Sequence, residues 1–75
     1  MPTALVLLNT KIGSEADVLR ELRKMANIEE ALLVYGVYDI IVRIESSSMH
    51  ELKQAVTWKI RKMDYVTATQ TMIII

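Results

Sequence analysis

Three features of this sequence predict an α+β sandwich with the element order β-α-β-β-α-β. The first is an internal echo: Arg23-Lys24-Met25-Ala26-Asn27-Ile28 matches Arg61-Lys62-Met63-Asp64-Tyr65-Val66, and each copy marks the exit from a helix into a strand. The second is a stripe of apolar residues at helical spacing in each half of the chain. The third is that runs rich in Val, Ile, Leu and Thr flank both stripes, as strands would. Two strand–helix–strand halves in series, with right-handed crossovers, give a ferredoxin-like arrangement. Its four antiparallel strands lie in the order 4-1-3-2, with both helices on one face.

The elements follow in order. Thr3 to Thr10 has no polar break until Asn9, which suits a central strand buried on both faces. Lys11-Ile12-Gly13 turns the chain, and Ser14-Glu15-Ala16-Asp17 resembles a capping box. Val18, Leu19, Leu22, Met25 and Ala26 form the buried stripe of the first helix, and Asn27 is placed to cap its end in the left-handed conformation. A second strand runs from about Ile28 to Tyr35. Gly36 then supplies positive φ for the turn into a third strand, on which Tyr38, Ile40, Val42 and Ile44 face the helices. Ser48-Met49-His50-Glu51 is a second capping box, and Met49, Leu52, Val56, Ile60 and Met63 form the stripe of the second helix. Trp58 projects almost opposite that stripe, which either calls for a partner or lays the ring against its basic neighbours. The last strand spans about Tyr65 to Ile75.

Composition restricts the function. A chain of 75 residues buries only roughly 60% of its surface, and with no Cys it has neither disulfides nor thiolate metal sites. Its hydrophobic share of 52% exceeds what so small a monomer hides comfortably, so self-association is the first inference. Nine basic and nine acidic residues balance, which removes the electrostatic footprint of a nucleic-acid binder. No apolar run reaches the ~20 residues of a membrane span, and no signal peptide is legible, so a cytoplasmic protein is expected. The single His50 lies in the first turn of a capped helix, and Glu29-Glu30 reads as a solvated rim. Phosphate-binding glycine loops and serine nucleophile elbows do not occur. An enzyme is therefore not expected, nor is a metal or cofactor.

Strand parity places Asp39, Ile41, Arg43 and Glu45 on the sheet face away from the helices. The same parity adds Thr67, Thr69, Thr71 and Ile73 from the last strand. Such a face is too apolar for water, and a dimer formed face to face would cover it. Asp39 offers a carboxylate for an ammonium group, and the threonines offer hydroxyls for a carboxylate or amide, which together suit a free amino acid. Asp39 as a turn residue and the threonines as ordinary strand residues are the competing reading. Strand 1 separates the two groups by about 10 Å, so a shared pocket calls for two subunits.

Gly36-x-Tyr38-Asp39, then an apolar strand and a capped helix, then Val66-x-x-Thr69-x-Thr71, resembles the RAM domain. This is the effector-sensing C-terminal domain of Lrp/AsnC transcriptional regulators, and the resemblance spans residues 1–75 as a single domain. It implies a ferredoxin-like fold, sheet-face dimers, assembly into octamers or similar rings, and small effectors, usually amino acids, bound between dimers. Carried over by position, it assigns Gly36, Tyr38 and Asp39 to an effector loop and Thr69 and Thr71 to polar contacts from strand 4. The family's full-length members carry a helix-turn-helix domain before this one, whereas here the sequence begins directly at strand 1, so a stand-alone module without a DNA-binding domain is expected, able to co-assemble with full-length Lrp/AsnC regulators. One departure stands at the entry to strand 4, where the family's Pro-Gly pair is replaced by Asp64-Tyr65. The rival readings are an oligomerisation module without ligand, an ACT-type domain, which Asn9-Thr10-Lys11-Ile12-Gly13 fits poorly, and an oxygenase on a related dimeric barrel.

Overall fold

The computed structural model describes residues 2–75. Its elements are β1 (Thr3–Thr10), α1 (Glu15–Arg23), β2 (Ile28–Leu33), β3 (Ile40–Glu45), α2 (Met49–Gln54) running on into a π-helical segment (Ala55–Ile60), and β4 (Val66–Ile74). The strands form one antiparallel sheet in the order β2-β3-β1-β4, the expected order read from the other edge.

β1 is the central strand and sets the register of both neighbours. Ala4, Val6 and Leu8 are fully buried beneath the helices, each pairing with Ile44, Val42 or Ile40 of β3. Val18, Leu19 and Leu22 of α1 and Leu52, Ala55, Val56 and Ile60 of the second helical segment close this core. Met25, Ile28, Met63 and Val66 pack around its rim. Met49, assigned to the stripe by periodicity, is exposed instead because it lies in the first turn, before the helix settles onto the sheet.

Several local expectations are corrected. Ser14 precedes α1, but its side chain makes no capping hydrogen bond. At α2 the box forms in part: the Glu51 N–H donates to Ser48 Oγ at 3.2 Å, while the Glu51 carboxylate accepts from the Ser47 hydroxyl. Asn27 does not adopt the left-handed conformation; its carbonyl accepts from the Glu45 N–H at 3.0 Å, which ties the end of β3 to the turn before β2. The left-handed residue is Tyr65, with φ 72. It stands at the entry to β4, where a non-glycine residue takes the conformation that glycine favours. Such a position costs roughly 1–2 kcal/mol. The Lys11 N–H donates to the Tyr65 carbonyl at 2.9 Å, and Lys11 Nζ lies 5.9 Å from the Tyr65 ring centroid.

The second helix widens where α2 ends. The Arg61 N–H donates to the Val56 carbonyl, five residues back, at 3.0 Å, the pattern of a π-helical turn. Trp58 is exposed on this stretch, and Lys62 Nζ sits 4.8 Å from its ring centroid. The outward Trp58 is thus met by a neighbouring cation.

The Ser48→Ala variant tests the capping account. Loss of its acceptor is expected to cost about 1 kcal/mol, lowering Tm by roughly 4–8 °C for a domain of this size. Thermal unfolding followed by circular dichroism measures it.

Candidate functional site

The connection from β2 to β3 is a six-residue loop, residues 34–39, rather than a tight turn. Val34 and Asp39 close it through a hydrogen bond from the Val34 N–H to the Asp39 carbonyl at 2.9 Å. Gly36 does not take positive φ; among the glycines that conformation belongs to Gly13, at φ 87. A side chain added at Gly36 would meet nothing within 4 Å in this chain. A loop of this length can reverse the chain without a left-handed residue, so neither conformation nor space within the subunit demands glycine here. Tyr35 and Val37 flank it fully in solvent, while Tyr38 is half-buried.

Asp39 is tied into the sheet at three points. Its N–H donates to the Leu8 carbonyl at 2.9 Å, its carbonyl accepts from Val34, and its carboxylate Oδ2 accepts from the Thr10 N–H at 2.9 Å. The last bond caps the end of β1, where pairing with β4 slips between Asn9 and Thr10. A bulge leaves a backbone donor without its ladder partner, and the Asp39 carboxylate supplies one. Thr10 is itself buried, and its hydroxyl is the one buried side-chain polar atom among the described residues with no hydrogen-bond partner.

Thr69 and Thr71 of β4 lie on the other side of the sheet from the open face, and Thr67 falls in the bulge, without a register partner on β1. Thr69 and Thr71 pair with Leu8 and Val6, and Ile73 pairs with Ala4. Paired residues share a face, so all three belong to the helix side, which corrects the parity argument that placed them on the open face. Alternation along β4 follows from the sequence, but its phase against β1 does not. At the bulge the phase shifts again, which lets Val66 pair with Thr10 and pack against the core. The open face carries Leu5, Leu7, Leu32, Ile41, Met72 and Ile74 together with Arg43 and Gln70.

Thr69 and Thr71 border a groove of about 380 Å³ between β4 and the second helical segment. Leu52, Val56 and Ile73 supply its apolar floor, Thr57 adds a third hydroxyl, and Lys53 and Arg61 stand at its margin. The predicted site residues thus fall into two places within one chain, with Gly36, Tyr38 and Asp39 at a sheet end and Thr69 and Thr71 in this groove. Lys53, Thr57 and Arg61 escaped the sequence reading because a helical wheel puts them outside the buried stripe. No group of three or more His, Asp or Glu residues that could hold a metal occurs among the described residues. Nor is any helix among them long and apolar enough to cross a membrane.

A βαββαβ module with one apolar sheet face and a polar-rimmed groove is a fold that hosts many functions, and the sequence narrows them. The chain belongs to the Lrp/AsnC ligand binding domain family, whose model matches residues 3–75. Among solved structures it resembles FFRP-DM1, with 44% identity, a TM-score of 0.97 and complete coverage of both chains. It is equally similar in sequence to a hypothetical protein from Pyrococcus horikoshii, with 44% identity and a TM-score of 0.95, over 100% of this chain and 90% of that one. The fold also matches the transcriptional regulator NMB0573 of Neisseria meningitidis, solved as a complex with L-Met. There the identity is 13% and the TM-score 0.87, and this chain, 99% covered, spans 49% of that regulator. No curated protein matches the sequence.

Two substitutions separate the roles of Asp39. Asp39→Ala leaves the Thr10 N–H without its acceptor and is expected to cost about 1–3 kcal/mol. Asp39→Asn keeps an oxygen in place and should retain most of that stability. Urea unfolding of the two variants side by side measures the difference.

Proposed function

We propose that this module senses an amino acid or closely related metabolite, held between subunits of a homo-oligomer. The observation that carries this reading is the division of the polar residues. Gly36, Tyr38 and Asp39 lie at a sheet end, while Thr69 and Thr71 lie on the helix face, so they compose one pocket when two subunits meet. Asp39 offers the negative charge for the ligand's ammonium, and Thr69 and Thr71 offer hydroxyls for its carboxylate or side chain. Membership of a ligand-binding family and the L-Met complex of a fold neighbour support an amino acid as the class.

Assembly is the second half of the reading. Leu32, Met72 and Ile74 on the open face are about half exposed in the single chain, and apolar area of this kind contributes roughly 25 cal/mol per Å² when covered. A dimer through this face, and a ring of such dimers, leaves the residue 34–39 loop able to meet the groove of a neighbour. The same face serves co-assembly with full-length Lrp/AsnC regulators, which would carry the DNA contacts. The balanced charge of nine basic and nine acidic residues fits a sensing part that does not touch DNA itself.

Calorimetry and thermal shift against the twenty amino acids test the ligand. An effector at 100 times its Kd is expected to add about 2.7 kcal/mol of stability, and a flat panel refutes amino-acid sensing. Sedimentation with and without the effector then distinguishes a sensor, whose assembly responds, from an oligomerisation module, whose assembly does not. Ile41→Lys, which sets a charge in the middle of the open face, is expected to shift the sedimenting species toward monomer. An unchanged oligomer would assign assembly to another surface.

A further inference from the structure

The groove between α2 and β4 brings two cations, Lys53 and Arg61, to one lining that contains no acidic residue. Five of the nine Lys and Arg residues have a partner nearby, and Arg43 and Lys59, which make no ion pair among the described residues, stand outside this groove. Arg20 pairs with Asp17 at 3.0 Å and Lys24 with Glu21 at 3.3 Å, Arg23 donates to the Ala31 carbonyl at 2.9 Å, and Lys11 and Lys62 lie over Tyr65 and Trp58. Lys53 and Arg61, both exposed, border the groove together, and among the described residues neither makes an ion pair. No acidic residue lines it. Two cations, three hydroxyls and an apolar floor therefore converge on one space in a chain whose net charge is zero.

We propose that this groove is an anion site for small aliphatic carboxylates of net negative charge, recognised by Arg61 and Lys53. The guanidinium presents a planar fork that matches a carboxylate with two parallel hydrogen bonds, and Lys53 adds a mobile point charge. Leu52, Val56 and Ile73 accept the methylene body of the ligand, and the volume suits a small metabolite. The π-helical turn before Arg61 ends in helix carbonyls, whose partial negative charge disfavours an anion. The preference for one thus depends on the two side chains.

The absence of a carboxylate in the lining sets the selectivity. A zwitterion brings an ammonium group toward two like charges, whereas a second carboxylate on the ligand meets both. The inference rests on the sensing reading in one respect: within the amino acids, it narrows the effector to those with an acidic side chain. In the assembled module, Asp39 of a facing subunit would receive the ammonium group of any amino acid alike, so the preference rests on the side-chain carboxylate that meets Arg61 and Lys53.

Glutamate and glutamine, near-isosteres that differ in side-chain charge, test this by calorimetry on the full chain, with glutarate as the carboxylate lacking an amino group. Glutamate and glutarate are expected to bind at least about tenfold more tightly than glutamine, the usual worth of a charge-assisted contact, and added salt should erode that preference. Arg61→Gln, with Lys53→Gln as a second variant, should bring glutamate toward the affinity of glutamine. Both side chains are exposed, so unfolding curves without ligand should match the parent. Equal binding of glutamate and glutamine, undiminished glutamate binding in Arg61→Gln, or no binding of either acid each overturns the anion site. Where glutamine or another neutral amino acid still binds, the sensing reading survives that loss. Binding of glutarate without glutamate supports the anion site and counts against amino-acid sensing.

Discussion

The antiparallel pairing of β1 with β3 on one side and β4 on the other is the constraint on which the rest of this structure depends. Because side chains alternate strictly along a strand, this register decides at once which residues form the core and which form the open face. Ala4, Val6 and Leu8 bring Ile40, Val42 and Ile44 under the helices with them. The same ladder carries Thr69 and Thr71 to the helix side and leaves Met72 and Ile74 on the other. Neither the groove nor the open apolar face exists without that phase relation.

At the far end of β1 the register breaks, and the break connects fold to site. The bulge between Asn9 and Thr10 frees a backbone donor that Asp39 satisfies. A carboxylate that resembles a ligand contact in the sequence is therefore also a structural clamp, holding the residue 34–39 loop against the end of the central strand. The clamp is compatible with the proposed ligand role, since a loop meant to present groups to a second subunit would benefit from a fixed base. Tyr35 and Val37, fully exposed above that base, give the loop an apolar surface that has no covering within its own chain.

Much of this was legible in the sequence. The helical stripes, the capping serine at position 48, the repeat of Arg-Lys-Met at each helix exit and the balance of charge all depend on neighbours a few residues apart. Short-range periodicity reports such features directly. Less legible were the left-handed Tyr65, which Asp64-Tyr65 gave no propensity reason to expect, and the π-helical turn at Ala55–Ile60, which a wheel of uniform pitch flattens. Both are local departures from preferred geometry that packing imposes from outside the segment.

By itself the sequence determined the element order, the strand order and most of the buried helical residues, with Met49 and Ala26 exposed against expectation and Ala55 buried without having been singled out. It also determined that the surface left over is too apolar for a comfortable monomer. Only the tertiary structure decided on which side of the sheet β4 places its threonines, that Asp39 is bonded to Thr10, and that Lys53 and Arg61 border the groove of Thr69 and Thr71. The reason is the range of the interactions. Periodicity within a segment fixes relative direction, but the phase between two strands is set by hydrogen bonds across the sheet and by a one-residue bulge.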